Sequence, residues 1–165
     1  MTTNPYLKFY DFTGQTIMIT GGGGVLGGEM ARALFDCGAH VVILDYNLQA
    51  AERTASALEP KPGSGTALGV QGNVLEAEAM QAAVDQVLAR YGKIDGLING
   101  AGGNNPNATT SPEKSFFDLP LDGFRRVFDL NLIGTIIPSQ VVGRHMAERK
   151  QGVILNVSSM NAFRP

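Results

Sequence analysis

The chain of 165 residues is 44% hydrophobic and carries 13 basic against 15 acidic side chains, a net charge of −2. That apolar content supports one sizeable core and a single domain, while the nearly balanced charge leaves no footprint for nucleic acid. No run approaches membrane-spanning length, and residues 1–11 lack the cationic-then-apolar order of a secretion signal, so a cytoplasmic protein with no membrane partner is expected.

Gln15 to Thr20 (QTIMIT) is short, apolar and β-branched, and reads as a buried strand. The turn Gly21-Gly22-Gly23-Gly24 follows, and from Val25 the pattern becomes helical, with Leu26, Met30, Ala33, Leu34 and Cys37 on or near one face and Gly38 as the stop. A strand feeding a helix through glycines leaves the first backbone N–H groups of the helix unpaired, and an anionic phosphate satisfies them. Gly22, Gly24 and Gly27 match G-x-G-x-x-G in that context. Gly21, Gly22, Gly24, Val25, Leu26 and Gly27 are therefore expected to line a dinucleotide pyrophosphate. Glu29 runs against this, because an acid in the first turn repels phosphate. Cys37 reads as a packed small hydrophobe rather than a nucleophile, and as the single cysteine it has no intrachain partner.

His40 to Asp45 (HVVILD) is a second buried strand. Asp45 stands twenty-one positions beyond Gly24, the spacing at which an acid at a strand end accepts hydrogen bonds from an adenosine ribose. With Tyr46 it should border that ribose. No Lys or Arg lies within Tyr46 to Gln49 to receive a 2′-phosphate, so NAD is expected over NADP.

A helix is predicted over Asn47 to Leu58, a strand over Thr66 to Val70, and an amphipathic helix over Glu76 to Tyr91 with Met80, Ala83, Val84, Val87 and Leu88 inward. Ile94 to Ile98 and Gly152 to Val157 read as strands four and five. Alternation of strands and helices is the pattern of a parallel α/β sheet covered on both faces. The polar passage Gly102 to Pro112 is long for a connection, so it is either functional or mobile. A long helix is predicted from about Asp122 to Lys150, with Asn131 inviting a local break and Pro138 bending it or freeing the Gly134 carbonyl. His40 and His145 are isolated, so no metal site is expected, and Asn107-Ala108-Thr109 is an idle glycosylation match.

The glycine turn, Asp45, Gly72-Asn73-Val74, Asn99-Gly100-Ala101-Gly102, Asn131 and Ser158-Ser159 occur in the order found in short-chain dehydrogenases/reductases, and the chain resembles about the first two-thirds of that family. The resemblance implies a Rossmann-like, doubly wound parallel sheet with five strands in the order 3-2-1-4-5. It implies that Asn73 and Val74 contact adenine and that Asn99, Gly100, Ala101 and Gly102 approach the nicotinamide ribose. Ser159 would hydrogen-bond the reacting oxygen, and Asn131 would hold a water for proton relay. It also implies a homo-oligomer of the complete protein, in which the long helix from Asp122 pairs between subunits. Val25 and Gly100 depart from the family's usual residues.

In that family a Tyr, with a Lys four positions on, follows the serine by about a dozen residues, whereas six residues follow Ser159 here. This sequence is therefore expected to be the incomplete N-terminal part of a longer enzyme, binding coenzyme without turnover by itself. Its polar loop and the segment from Ser159 to Pro165 resemble the D-mannonate oxidoreductase branch, implying a small-molecule substrate of the sugar-acid class, such as mannonate or fructuronate, with Arg164 meeting a carboxylate. A non-catalytic dinucleotide sensor is the alternative, and a methyltransferase of similar architecture a weaker third.

Overall fold

The computed structural model describes residues 10–159. Five parallel strands, β1 (Thr16–Thr20), β2 (His40–Asp45), β3 (Ala67–Gln71), β4 (Gly96–Asn99) and β5 (Val153–Asn156), form one sheet in the order β3-β2-β1-β4-β5. The expected order is the one observed. Between them run α1 (Val25–Asp36), α2 (Leu48–Ser56), α3 (Ala77–Tyr91), α4 (Leu121–Phe128) and α5 (Gly134–Arg149).

Alternating strand residues divide the core in two. Ile17, Ile19, Val41 and Ile43 pack with Ala31, Phe35, Ala51 and Leu58 on the face covered by α1 and α2. Met18, Val42, Leu44 and Val70 pack with Met80, Val84, Val87, Val142 and Met146 on the face covered by α3 and α5. A strand buried on both faces is apolar through its centre, as at Ile17–Ile19 of β1 and Val41–Leu44 of β2, with Thr16 and Thr20 buried at the ends of β1. Each large apolar side chain so enclosed contributes about 1.5–3 kcal/mol.

The structure corrects several expectations. The buried stripe of α1 is Gly27, Ala31 and Phe35, four residues apart, whereas Leu26 and Ala33 are exposed. Chain spacing of four, with a glycine admitting close approach at the first position, decided the face. Glu29 lies beyond the first turn and pairs with Arg32 at 3.7 Å. Strands three and four begin later than predicted, at Ala67 and Gly96. Asn47 is the cap of α2 rather than part of it, its side chain accepting from the Ala50 amide.

The long helix is interrupted by a π-helical turn, Asp129–Ile133, which carries Asn131. The break falls upstream of Pro138, which is buried inside α5. Side chains supply donors along this stretch. Asn131 Nδ2 donates to the Val127 carbonyl at 3.0 Å, Thr135 Oγ1 to the Asn131 carbonyl at 2.9 Å and Ser139 Oγ to the Thr135 carbonyl at 2.7 Å. The widened turn is thus hydrogen-bonded rather than strained.

Cys37 caps the end of α1, partly buried. Burial, and secondarily Asp36, raise its thiol above the ordinary value, which lowers the thiolate population and fits a packing role. Among the described residues there is no cluster of metal-binding side chains and no helix long and apolar enough to cross a membrane.

Candidate functional site

The carboxyl ends of β1, β2 and β4 meet where the strand order reverses, and the glycine turn lies there. Gly21 is left-handed, with φ +66°, and a Cβ on it would sit 2.8 Å from Ala101 Cα. A Cβ on Gly27 would lie 2.5 Å from the Gly21 carbonyl oxygen and 2.7 Å from Gly22 Cα. Both positions need glycine for the turn to close on the helix. Gly24 is different: its Cβ would meet only the Gly21 carbonyl, at 3.3 Å, so its bareness leaves room for a ligand rather than for the protein.

No side chain caps the N-terminus of α1, in contrast to α2 with Asn47. The first amides of α1 therefore face the cleft without a side-chain acceptor, next to the positive end of the helix. The cleft, about 370 Å³, is lined by Gly21, Gly24, Val25, Leu26, Gly27, Asp45, Gly100, Ala101 and Gly102. Val25 and Leu26 are strongly exposed at its mouth.

Asp45 ends β2 and closes this cleft. Its Oδ2 accepts from the Gly23 amide at 3.1 Å and its Oδ1 from the Asn47 amide at 3.0 Å, so the carboxylate is oriented by backbone on both sides. A second cavity of about 380 Å³ continues from it, lined by Asp45, Tyr46, Gly72, Asn73, Val74 and Leu130 among others. Tyr46 is exposed there, while Val74 is 7% exposed and belongs mainly to the core. Asn73 donates to Glu76 Oε1 at 2.7 Å and accepts from the Leu75 amide at 3.1 Å, which makes it a turn-former as well as a cavity wall.

On the other side, Gly100 and Ala101 are held by Thr20, whose buried Oγ1 accepts from both amides at 3.2 and 3.1 Å. Thr20 and Gly23 also shape the cleft, beyond the coenzyme contacts expected from the sequence. A hydroxyl at a strand end, next to glycines, was the available signal for the first. Asn99 is 3% exposed and points inward, its Nδ2 donating to Ser139 Oγ at 2.9 Å and Asn156 Oδ1 at 2.8 Å. Its side chain therefore joins β4, β5 and α5. Gly100 to Gly102 continue from it into the cleft.

Asn131 grips the chain after β4. Its Oδ1 accepts from the Gly103 amide at 2.9 Å and its Nδ2 donates to the Gly103 carbonyl at 2.8 Å. A Cβ on Gly102 would come 2.6 Å from Asn131 Oδ1, so the clamp depends on that glycine. Ser159 follows β5 in an exposed segment at the same sheet edge, because β5 pairs with β4 in register, Asn99 opposite Asn156. Arg164 lies outside the described residues.

An oxidoreductase of uncharacterised specificity from Haemophilus influenzae is 39% identical over 166 residues, covering 94% of this chain and 58% of its own length. The 7alpha-hydroxysteroid dehydrogenase of Escherichia coli K12 is 32% identical, covering 90% of this chain and 54% of its own. A crystal structure from Haemophilus influenzae, described as a candidate D-mannonate oxidoreductase with bound NAD, superposes with a TM-score of 0.86 at 38% identity, over 96% of this chain and 60% of that one. The chain thus spans little more than half the length of such relatives. The short chain dehydrogenase family model matches residues 15–165, and with the glycine turn, Asp45 and Asn131 placed as described, the chain belongs to that family.

Proposed function

We propose that the chain forms the coenzyme-binding part of an NAD-dependent oxidoreductase that interconverts a secondary hydroxyl and a ketone, with a sugar acid of the mannonate and fructuronate kind as substrate. The observation that carries the coenzyme reading is the uncapped glycine turn with Asp45 fixed at its mouth. A dinucleotide fits these residues: the turn leaves space beside bare α1 amides, and a carboxylate without a cationic neighbour suits two ribose hydroxyls. The bound NAD of the similar Haemophilus influenzae structure supports the same choice.

Bound NAD would supply the redox-active nicotinamide ring, which the residues after β4 are positioned to border. In this reading Gly21, Gly22, Gly24, Val25, Leu26 and Gly27 surround the pyrophosphate. Asp45 and Tyr46 border the adenosine ribose, Asn73 and Val74 the adenine. Asn99 sets the course of Gly100, Ala101 and Gly102 past the nicotinamide side. Ser159 donates to the substrate oxygen, where charge develops during reaction. Both ends of the Asn131 amide are occupied by backbone, so in this reading the relay water is held by its main-chain carbonyl, which also accepts from Thr135 Oγ1.

A cytoplasmic location and self-association of the complete protein belong to the same reading. Support for the latter is the apolar exposure of Leu121, Phe128, Leu132 and Ile136 along α4, the π-helical turn and α5. A single NAD-binding unit belongs to the same reading, and one sheet running through all described strands supports it. The test is a panel of NADH-linked reductions by the product of the whole gene, using fructuronate, 5-ketogluconate and simple ketones. Reduction of the sugar acids is the expected result; activity confined to simple ketones would contradict the substrate class.

A further inference from the structure

We infer that Lys114 is the anchor for the carboxylate of the substrate, at a preformed cavity in the connection between β4 and α4. This rests on the sugar-acid reading above and extends it to a specific cation.

The connection is long and polar, yet it is built by local hydrogen bonds. Asn105 Oδ1 accepts from the Asn107 amide at 2.9 Å, and Thr109 Oγ1 donates to the Asn105 carbonyl at 3.0 Å, enclosing the short helical turn Pro106–Ala108. Ser111 and Lys114 then pair through both backbone groups, at 3.0 and 3.1 Å, across the tight turn of Pro112 and Glu113. Gly123 of α4 approaches Asn107 so closely that a Cβ would collide with it. The loop thereby leans on α4 as well as on the Asn131 clamp at Gly103.

Within this frame Lys114 is partly buried, while Ser111, Pro112, Glu113 and Ser115 around it are exposed. Its ammonium donates to Asn107 Oδ1 at 3.0 Å, a neutral acceptor. The adjacent acid is turned elsewhere, Glu113 Oε2 accepting from Ser111 Oγ at 3.0 Å. Among the described residues no carboxylate lies within ion-pairing distance of Lys114. The cation is held in place but not neutralised.

It lines a cavity of about 480 Å³ together with Asn104, Pro106, Thr109, Thr110 and Ser111. An ammonium with three donors, an amide and three hydroxyls match a ligand that carries one carboxylate and several hydroxyls. The loop leaves β4 at the same end of the sheet at which Ser159 follows β5, and that shared end is the ground for assigning the cavity to the substrate's acid group.

The experiment uses the product of the whole gene with Lys114→Met and Lys114→Arg, assayed with NADH on 5-ketogluconate and on an uncharged ketose. NADH binding and thermal midpoint are measured in parallel. Loss of one charge-assisted contact predicts a KM for 5-ketogluconate raised about 10- to 100-fold in the Met variant, with kcat, NADH affinity and uncharged-ketose kinetics unchanged. The Arg variant should recover most of the affinity. Wild-type turnover of 5-ketogluconate with an unchanged KM in K114M overturns the anchor and leaves the sugar-acid reading standing. Wild-type protein that binds NADH but reduces only uncharged ketones overturns both. A KM raised equally for acid and uncharged ketose also overturns the anchor, because it marks a loop-packing effect.

Discussion

Gly27→Val should abolish measurable NADH binding, lowering affinity by at least about 100-fold, and should lower the thermal midpoint as well. The β-carbon alone would lie 2.5 Å from the Gly21 carbonyl oxygen, a backbone atom that cannot rotate away. Either α1 retreats from β1 or the glycine turn opens, and both displace the amides that a pyrophosphate needs; overpacking of this kind costs about 1–3 kcal/mol in stability besides. Calorimetric titration with NADH and a thermal melt separate the two effects. By contrast, Gly24→Ala meets only one atom at 3.3 Å and should keep the fold while weakening binding. A Gly27→Val protein that binds NADH as tightly as wild type would show that the turn does not hold the coenzyme.

The largest loss of stability is expected from Asp95→Ala, about 3 kcal/mol. Asp95 is 8% exposed at the entry to β4, on the sheet edge opposite the coenzyme cleft. Its Oδ2 accepts from the Thr16 amide at 2.9 Å and lies 3.0 Å from Lys93 Nζ, and its Oδ1 accepts from Arg149 Nη2 at 2.9 Å. Arg149 also donates to the Ile94 carbonyl at 2.9 Å. One carboxylate therefore ties the start of β1 and the end of α5 to β4. Burial pushes the Asp95 carboxyl up, but the Thr16 amide, Arg149 and Lys93 together outweigh it and hold the group below its ordinary value. A depressed carboxylate stabilises the fold above the unfolded value, near 4, and that contribution is lost as pH falls through the native value. Denaturant titrations from pH 7 to pH 3 should show this acid limb in wild type and a flatter one in Asp95→Ala. NADH affinity of folded protein should stay unchanged, since the cluster does not touch the cleft.

The difference between these two residues marks what a sequence discloses. The placement of Gly27 and Asp45 was legible because it follows from local order: strand, glycines, helix, then an acid at the next strand end. The parallel sheet covered on both faces followed from apolar runs alternating with helices, and its strand order from the family resemblance. Asp95 and Thr20 were not legible, because their partners Arg149, Thr16, Gly100 and Ala101 lie far along the chain and are joined only by the sheet. The interior use of Asn99 escaped for the same reason, its partners Ser139 and Asn156 being 40 and 57 positions away. The break at Asn131 was expected from an amide in an apolar helix, but its form, a π-helical turn stitched by Thr135 and Ser139, needed the coordinates. The buried face of α1 was misjudged because Gly27 counts as no hydrophobe in a sequence pattern, yet lets that side of the helix lie closest to the sheet.

The central claim is that Asp45, aimed by the Gly23 and Asn47 amides, selects NAD. Its most direct test is parallel titration of the product of the whole gene with NADH and NADPH at one ionic strength, in wild type and in Asp45→Ser. A carboxylate facing a 2′-phosphate at contact distance predicts NADH binding at least about 100-fold tighter than NADPH in wild type, and a much smaller ratio in the variant. Equal or tighter binding of NADPH by the wild-type protein would contradict it.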